Sequence, residues 1–319
     1  MQTDSAVRPA AREKRRTALR SGLKNAAEHW QLWVMMLPAI VFIFIFAYKP
    51  MYGVLIAFKN YNFKLGIMGS EWVGFKYFTT LFHSYWFPII LKNTLTISLL
   101  SLVLGFPMPI ILALAANEIP KEGLKRAFQT VSYAPHFIST IVMCGMVILF
   151  LSPKTGIINH FLSLFGVEPI FFMQSLPGFK WIYVLSGVWQ GAGWGAIIYF
   201  AALSGVDQSL LEAADIDGAS RFQKIIYINF PVLVPTIVIM FILNCGSLLN
   251  VGYEKVYALQ NSPNLPSSEV ISTYVYKIGL QDRNYSLSTA TNLFNSVVNS
   301  TILILANLLS KRVAKTSLW

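Results

Sequence analysis

Three asparagines recur at helical spacing in the last apolar stretch of the chain, at Asn292, Asn295 and Asn299. Separations of three and four residues place the three amides on one face of a helix. Such a face avoids lipid, so it either forms a hydrogen-bond network between helices or lines a path for a polar solute. The spacing alone leaves both interpretations open.

Other polar and aromatic residues inside apolar stretches could line the same path. Amides can bind the hydroxyl groups of a sugar, and aromatic rings can stack on its C–H face. The tryptophans could instead pack in the core or lie at the membrane interface. These candidates are Trp189, Gln190, Trp194, Asn244 and Asn250.

Residues that commonly carry catalysis or bind metals are few and scattered. Cys144 and Cys245 lie inside apolar stretches without a CxxC pattern, so we expect buried thiols. The four histidines form no cluster, and the HExxH, GxSxG and GxxxxGK[ST] motifs are absent from the sequence. The sequence therefore predicts no metal site, no catalytic site and no ATP-binding P-loop on this chain.

Composition places the chain in a membrane. Of its 319 residues, 55% are hydrophobic and only 12% are charged, and the mean hydropathy is +0.55. Soluble domains carry about 25% charged residues. The net charge of +11 could indicate a nucleic-acid partner. The apolar stretches argue against that partner, because Lys and Arg also mark the cytoplasmic ends of membrane helices.

Six apolar stretches are long enough to cross a bilayer, which takes about 20 helical residues. They predict an all-α membrane protein with six transmembrane helices. The predicted spans are 30–48, 93–116, 131–151, 181–204, 231–250 and 289–310.

The distribution of basic residues predicts the orientation. Fifteen Lys and Arg fall in the two termini and in the loops 117–130 and 205–230, against ten in the other three loops. This excess predicts that both termini and the 205–230 loop are cytoplasmic. The predicted parts are an N-terminal arm (1–28), a transmembrane domain (29–312) with a cytoplasmic loop at 205–231, and a tail (313–319).

The cytoplasmic loop contains signals for two short helices. Ser209 and Glu212 fit a capping box, in which the first side chain caps the helix and the second reaches back, and Ser220 and Gln223 fit another. Gly218 between them predicts a turn. Such a connector could simply lie against the membrane, with Glu212 acting only as a cap.

The same loop resembles the EAA loop of ABC-importer permeases, which has Glu-Ala-Ala, a Gly four residues after the second Ala, and a distal Ile-x-Leu-Pro. The matching residues are Glu212, Ala213, Ala214, Gly218, Ile228 and Pro231, with Phe230 where Leu is usual. In that family the loop docks into a groove on a separate ATPase. The resemblance implies an ATPase-coupling surface made of Glu212, Ala213, Ala214, Asp217, Gly218, Ala219 and Ser220. We call residues 205–231 the EAA-like loop.

Further segments resemble the carbohydrate branch of these permeases, including its alginate type. They are 48–53, 56–59, 72–75, 135–140, 151–157, 285–290 and 293–298. The resemblance implies a type I permease of the bacterial inner membrane that imports an oligosaccharide. It implies a second homologous permease subunit, two ATP-binding subunits that hold ATP and Mg, and an extracytoplasmic solute-binding protein. It implies no cofactor on this chain.

Two alternative functions belong to other classes. An ion-coupled secondary sugar carrier would place ionisable groups within its spans, and the predicted spans contain almost none. A membrane enzyme would need carboxylates or a metal cluster at a membrane face, and the sequence offers no convincing set.

The outer loop 251–288 carries the remaining charges of interest. Its Glu254, Lys255, Asp282 and Arg283 could contact a binding protein or a charged substrate, or they could be solvated. Between 270 and 280 the loop is apolar enough to predict a short helix on the outer surface.

Overall fold

The computed structural model describes residues 29–313 and 317–318, and the chain divides into two compact units between Leu55 and Ile56. The predicted N-terminal arm and most of the predicted tail lie outside the described residues. In the first unit, α1 (Trp30–Ile43) continues through a π-helical segment (Phe44–Tyr48) into α2 (Lys49–Met51). Every side chain of α1 is exposed and most are apolar, as expected for a helix that contacts lipid.

The second unit opens with a short strand pair that the all-α prediction missed. β1 (Lys59–Asn60) pairs antiparallel with β2 (Glu71–Trp72), with Lys59 opposite Trp72. The ring of Phe58 stacks on that of Trp72, with 5.6 Å between the ring centroids. Aromatic pairs across a strand pair stabilise it, so this small sheet closes the loop between the first two spans.

The rest of the described chain is helical. Its helices are α3 (Gly66–Gly69), α4 (Lys76–Phe82), α5 (Trp86–Gly105), α6 (Pro107–Asn117), α7 (Glu122–Tyr133), α8 (Thr140–Phe150), α9 (Ile157–Ser163), α10 (Leu176–Leu203), α11 (Gln208–Ile216), α12 (Arg221–Lys224), α13 (Phe230–Gly246), α14 (Tyr253–Leu259), α15 (Leu265–Ser268), α16 (Ile271–Tyr276) and α17 (Tyr285–Val313). Short 3-10 segments lie at Tyr52–Phe58, Ala134–Phe137 and Phe172–Gln174, and π segments at Ile225–Asn229 and Lys277–Gln281.

Four continuous helical stretches of the described residues are long and apolar enough to cross a membrane. They are Trp30–Phe58, Trp86–Asn117, Arg221–Gly246 and Tyr285–Arg312. The fourth predicted span corresponds to α10, which has 28 residues. Its glycines, tryptophans and tyrosines lower its hydropathy, and it is not among the four.

The third predicted span, 131–151, is not one continuous helix. α7 and the 3-10 segment that follows it bend by 98° relative to α8. Pro135 lacks the N–H that a helix interior needs, and Ser139 then caps α8, because its Oγ accepts a hydrogen bond from the Val142 N–H at 3.3 Å. The 11 residues of α8 span roughly 16 Å, which is shorter than the bilayer core of about 30 Å.

The core of the second unit forms around α10. This helix packs against α5, α6 and α13, and one cluster joins its Phe179 and Val184 to Met143 and Cys144 of α8. A second cluster lies nearer the EAA-like loop and includes Leu233. Both cysteines are buried, free thiols, as predicted.

The outer loop 251–288 is largely interior. The short helix predicted between 270 and 280 forms as α16, but it is buried and does not lie on the surface. Ile271 and Thr273 of α16 are buried, as is the turn residue Asn264. The Asn264 side-chain amide donates to the main-chain carbonyl of Met173 at 2.9 Å. The segment therefore folds back into the helical bundle and brings its polar residues with it.

Candidate functional site

The EAA-like loop folds into the two short helices that the sequence predicts, α11 and α12. Asp207 caps α11, since its Oδ1 accepts a hydrogen bond from the Ser209 N–H at 2.9 Å. This bond holds the pKa of Asp207 below its ordinary value. The predicted capping box between Ser209 and Glu212 is wrong, because Asp207, two residues earlier, has the extended backbone of a cap.

Gly218 makes the turn between the two helices, and its φ is +72°. The Ala219 N–H donates to the Ala214 carbonyl at 2.9 Å, and the Gly218 N–H donates to the Asp215 carbonyl at 3.1 Å. This pair of bonds is the Schellman motif, which needs a left-handed residue after the helix end. A Cβ at Gly218 would meet no atom within 4 Å, so the glycine is required by its backbone conformation and not by crowding.

The second helix is fixed at both ends. Ser220 and Gln223 form the predicted capping box: the Ser220 N–H donates to Gln223 Oε1 at 2.7 Å, and the Gln223 N–H donates to Ser220 Oγ at 3.3 Å. Lys224 then reaches across the turn to Asp215, with Nζ 2.7 Å from Oδ1. The ion pair links α12 to α11 across the turn.

The α12 helix runs without a break into a predicted membrane span. Arg221–Gly246 is one helical stretch, in which the π segment Ile225–Asn229 joins α12 to α13. The buried Asn229 donates to Glu118 Oε1, after the end of α6, at 3.5 Å. A continuous helix therefore connects the residues that follow the Gly218 turn to the bundle.

One side of the EAA-like loop packs on the bundle and the other is open. Leu211 packs against the cluster around Leu233. On the open side Ile216 is 87% exposed, and Phe222 and Tyr227 are also exposed. Exposed apolar side chains at a loop favour an interaction surface. Of the predicted coupling residues, Ala214 and Ala219 are half-buried and the other five, Glu212, Ala213, Asp217, Gly218 and Ser220, are exposed.

The asparagines of α17 take part in an interhelical network. Asn295 and Asn299 are buried and both donate to Asn250 Oδ1, at 3.0 and 2.9 Å. Asn299 Oδ1 also accepts the Leu249 N–H at 2.9 Å. Asn292 is exposed and takes no part in this network, but it lines a cavity.

That cavity, which we call the amide cavity, has a volume of about 500 Å³. Asn250, Asn292 and Asn295 line it, together with tyrosines and hydroxyl side chains. Within it, Tyr253 and Tyr276 stack at 5.0 Å between ring centroids. The buried Asn295 Oδ1 has no hydrogen-bond partner among the described residues. Amides, hydroxyls and aromatic rings around one cavity suit a sugar.

A second cavity, which we call the lysine cavity, has a volume of about 490 Å³ and is lined by Tyr183, Gln190, Asn244 and Lys255. A smaller bridging cavity of about 210 Å³ shares Tyr183 and Asn244 with it and shares Asn250 with the amide cavity. Gln190 also donates to the Ile138 carbonyl at 2.8 Å. The polar walls of the three cavities are thus continuous through shared residues.

The two tryptophans predicted for the pathway line none of these three cavities. Trp189 is half exposed, and Trp194 stacks on the ring of His136 with 4.4 Å between centroids. Neither residue is part of the core. Of the eight predicted pathway residues, five line a cavity (Gln190, Asn244, Asn250, Asn292 and Asn295), and Asn299 binds one of these five.

Tyr183 was missed as a site residue, whereas Lys255 was offered as a contact for a binding protein or a charged substrate, or as a solvated charge. Solvation was one of the interpretations offered for Lys255, and it is wrong, since the side chain is buried. The sequence contains a signal for this burial, because Val256 and Leu259, which follow Lys255 on α14, are apolar. Both of these residues belong to the core. Within the described chain, no three His, Cys, Asp or Glu side chains form a metal-binding group.

A helical bundle with apolar spans, cavities lined by polar side chains and an exposed loop of two short helices is typical of a membrane transport protein. Residues 105–315 match the family described as "Binding-protein-dependent transport system inner membrane component". The chain belongs to that family.

Similar proteins agree with this assignment. The chain is 41% identical to Protein LplB of Bacillus subtilis (strain 168), covering 90% of this chain and 91% of that protein. It is 40% identical to the polygalacturonan/rhamnogalacturonan transport system permease protein YteP of the same organism, covering 90% of each.

Among solved structures, a chain of a bacterial ABC transporter involved in the import of the acidic polysaccharide alginate superposes with a TM-score of 0.84 and 42% identity, covering 91% of this chain and 98% of that one. A second structure, of the bacterial alginate ABC transporter with an alginate pentasaccharide-bound periplasmic protein, gives 0.85 and 42%, covering 92% and 99%. The fold is that of a type I ABC-importer permease. Nothing in these comparisons supports the ion-coupled carrier.

Proposed function

We propose that this chain is the membrane-spanning subunit of an ATP-driven importer and translocates an oligosaccharide that a solute-binding protein delivers. The observation that carries the proposal is the EAA-like loop. The loop exposes apolar side chains around its turn at Gly218. After that turn the chain enters the continuous helix Arg221–Gly246. A rigid connection of this kind can convert the motion of a docked partner into a motion of the bundle.

The partner that docks on the loop is an ATP-binding subunit. The sequence of this chain has no P-loop, so ATP and Mg belong to two partner subunits, and the chain itself is not an enzyme. A second homologous permease completes the pathway. Each ligand then favours one state of the bundle, as alternating access requires, because only a difference in affinity between two states shifts their equilibrium.

The chain crosses the inner membrane six times, with both termini and the EAA-like loop in the cytoplasm. The four apolar stretches, the bent pair of α7 and α8, and α10 account for the six crossings. The excess of Lys and Arg in the termini and in the loops 117–130 and 205–230 supports this orientation.

The solute is an oligosaccharide. The amide cavity brings together asparagine amides, hydroxyl groups and a stacked pair of tyrosines, which are the groups that bind sugar hydroxyls and ring faces. Two of the relatives named above are a polygalacturonan/rhamnogalacturonan transport permease and a chain of an alginate importer. We infer that the solute of this chain is a fragment of a similar polysaccharide.

Co-purification from mild detergent tests the docking of the ATPase. A tagged wild-type chain is expected to retain an ATP-binding subunit and a second permease. Ala213→Trp places a large ring on the exposed surface of α11 and should release the ATP-binding subunit, while the matched Ala213→Ser variant should retain it. Equal retention by both variants would show that the docking surface lies elsewhere.

A further inference from the structure

Lys255 is a buried cation. Only 7% of its surface is exposed. Its Nζ donates to the main-chain carbonyl of Tyr183 at 2.6 Å and lies 4.5 Å from the centroid of the Tyr183 ring. Gly187 leaves space for the ammonium group, since a Cβ there would lie 2.9 Å from Nζ. The packing therefore holds the ammonium group at the wall of the lysine cavity.

No negative charge of the described chain balances this cation. The ion pairs among the described residues involve Arg126, Lys224 and Lys277, but not Lys255. None of the described residues that line the three cavities is Asp or Glu. A buried charge without a counter-charge is unfavourable for stability, and ionisable groups inside a membrane protein are typically functional.

The groups around Lys255 are neutral hydrogen-bonding side chains. Gln190, Asn244 and Ser101 share the lysine cavity with it. In the bridging cavity the buried Ser98 hydroxyl has no hydrogen-bond partner among the described residues. The lysine cavity lies within the range of roughly 300–1,000 Å³ that is typical of ligand sites. One cation among amides and hydroxyls matches a sugar that carries a single acidic group on each ring.

We propose that Lys255 binds the carboxylate of a uronic-acid unit of the oligosaccharide as it passes through the lysine cavity. This inference rests on the proposed function and adds the charge of the solute to it. An ammonium–carboxylate hydrogen bond is stronger than one between neutral groups. A neutral oligosaccharide would leave the ammonium group without its counter-charge, so Lys255 selects for acidic oligosaccharides.

The test uses the complete transporter in proteoliposomes, with its ATPase, its second permease and its binding protein. The probes are a pentasaccharide of galacturonate and the same pentasaccharide with its carboxylates reduced to alcohols. The variants are Lys255→Met and Lys255→Arg, with Lys92→Met as the matched control, because Lys92 is an exposed lysine of α5 that lines none of the three cavities. Uptake is measured over a range of concentrations, together with the thermal midpoint of each complex.

We expect Lys255→Met to lower uptake of the galacturonate pentasaccharide by about tenfold to a hundredfold, the range for losing a hydrogen bond to a charged group. Lys255→Arg should retain most of the uptake, and Lys92→Met all of it. The thermal midpoint of Lys255→Met should stay level or rise, because an apolar side chain replaces a buried unpaired charge.

Wild-type uptake by Lys255→Met would overturn the inference. Two other results would also overturn it, because each would indicate a structural role. One is a loss of uptake in Lys255→Arg as severe as that in Lys255→Met. The other is a loss of uptake in Lys255→Met together with a lower thermal midpoint. If the wild-type complex transported the reduced pentasaccharide but not the galacturonate pentasaccharide, the proposed function would stand and this inference would be wrong. Transport of neither probe by the wild-type complex would contradict both.

Discussion

The EAA-like loop and the lysine cavity are built in opposite ways. The loop is exposed, and its caps, its Gly218 turn and its ion pair all form between residues at most nine positions apart. In the lysine cavity the buried Lys255 contacts Tyr183, and these two residues are 72 positions apart. A surface that must fit another protein can be specified by local sequence, whereas a site inside the bundle exists only after the helices have packed.

The largest effect is expected from a change in the turn of the EAA-like loop. Gly218→Pro is expected to abolish ATP-driven uptake, because proline holds φ near −65° and cannot adopt the value of +72° at this position. The complex should still insert into the membrane, since a Cβ at position 218 would meet no atom within 4 Å. Uptake of labelled oligosaccharide into proteoliposomes measures the effect.

Gly166→Pro is the matched control for that variant. Gly166 has a φ of +75° and likewise has no atom within 4 Å of a Cβ position, but it lies outside the EAA-like loop. Its variant should suffer similar backbone strain yet continue to transport. An equal loss of uptake in Gly218→Pro and Gly166→Pro would show that backbone strain, and not lost coupling to the ATPase, causes the defect.

The next largest effect is expected inside the bundle. Asn299→Leu leaves the buried Leu249 N–H without its acceptor, which costs about 1–3 kcal/mol of stability. Asn292→Leu, seven residues earlier on α17, changes an exposed side chain that makes no contact in the network and should leave the thermal midpoint unchanged. If both variants melt at the wild-type temperature, the asparagine network does not stabilise the bundle.

A smaller effect is expected from the ion pair across the Gly218 turn. Lys224→Met removes a pair in which the Asp215 side chain is largely exposed, and exposed pairs contribute about 0–1 kcal/mol. A double-mutant cycle with Asp215→Ala, read from thermal midpoints, isolates the interaction. A coupling well above that range would mean that the pair also orients the two helices for docking.

The smallest effect concerns the cap of α11. The lowered pKa of Asp207 means that its charged form stabilises the folded helix end. The stabilisation is present above the pKa of the unfolded state and is lost as the pH falls through the lower, folded-state pKa. The protection factor of the Ser209 amide, which corrects for the intrinsic slowing of exchange in acid, should therefore fall for the wild type as the pH is lowered. Asp207→Asn keeps a capping acceptor and should remove this pH dependence; an unchanged profile would show that another group is responsible.

The sequence predicted those parts of the structure that depend on neighbouring residues. Gly218 as the turn and Ser220–Gln223 as a capping box were correct because these signals act over a few positions. The first cap was assigned to Ser209 because several acceptors compete there, and the extended backbone that selects Asp207 cannot be seen in the sequence.

The remaining errors arose from long-range packing. The bend after Pro135 was missed because hydropathy in 131–151 stays high across it, although proline and Ser139 signalled a break. For Lys255 the sequence allows a solvated charge or a contact with a binding protein or a charged substrate, and only the packing of α14 against α8 and α10 shows that it is buried. Trp189 and Trp194 stay predictions as pathway residues, and they line none of the three cavities of this chain.

Site-specific photo-crosslinking tests the central claim most directly. A benzophenone side chain replaces Ile216, which is 87% exposed on the open side of the EAA-like loop, and in a separate variant it replaces Leu164, which is 71% exposed outside it. After irradiation of membranes that contain the whole transporter, peptide mass spectrometry identifies each adduct. The account predicts an adduct between position 216 and the ATP-binding subunit, and none from position 164. An ATP-binding subunit captured at 164 but not at 216 would contradict it.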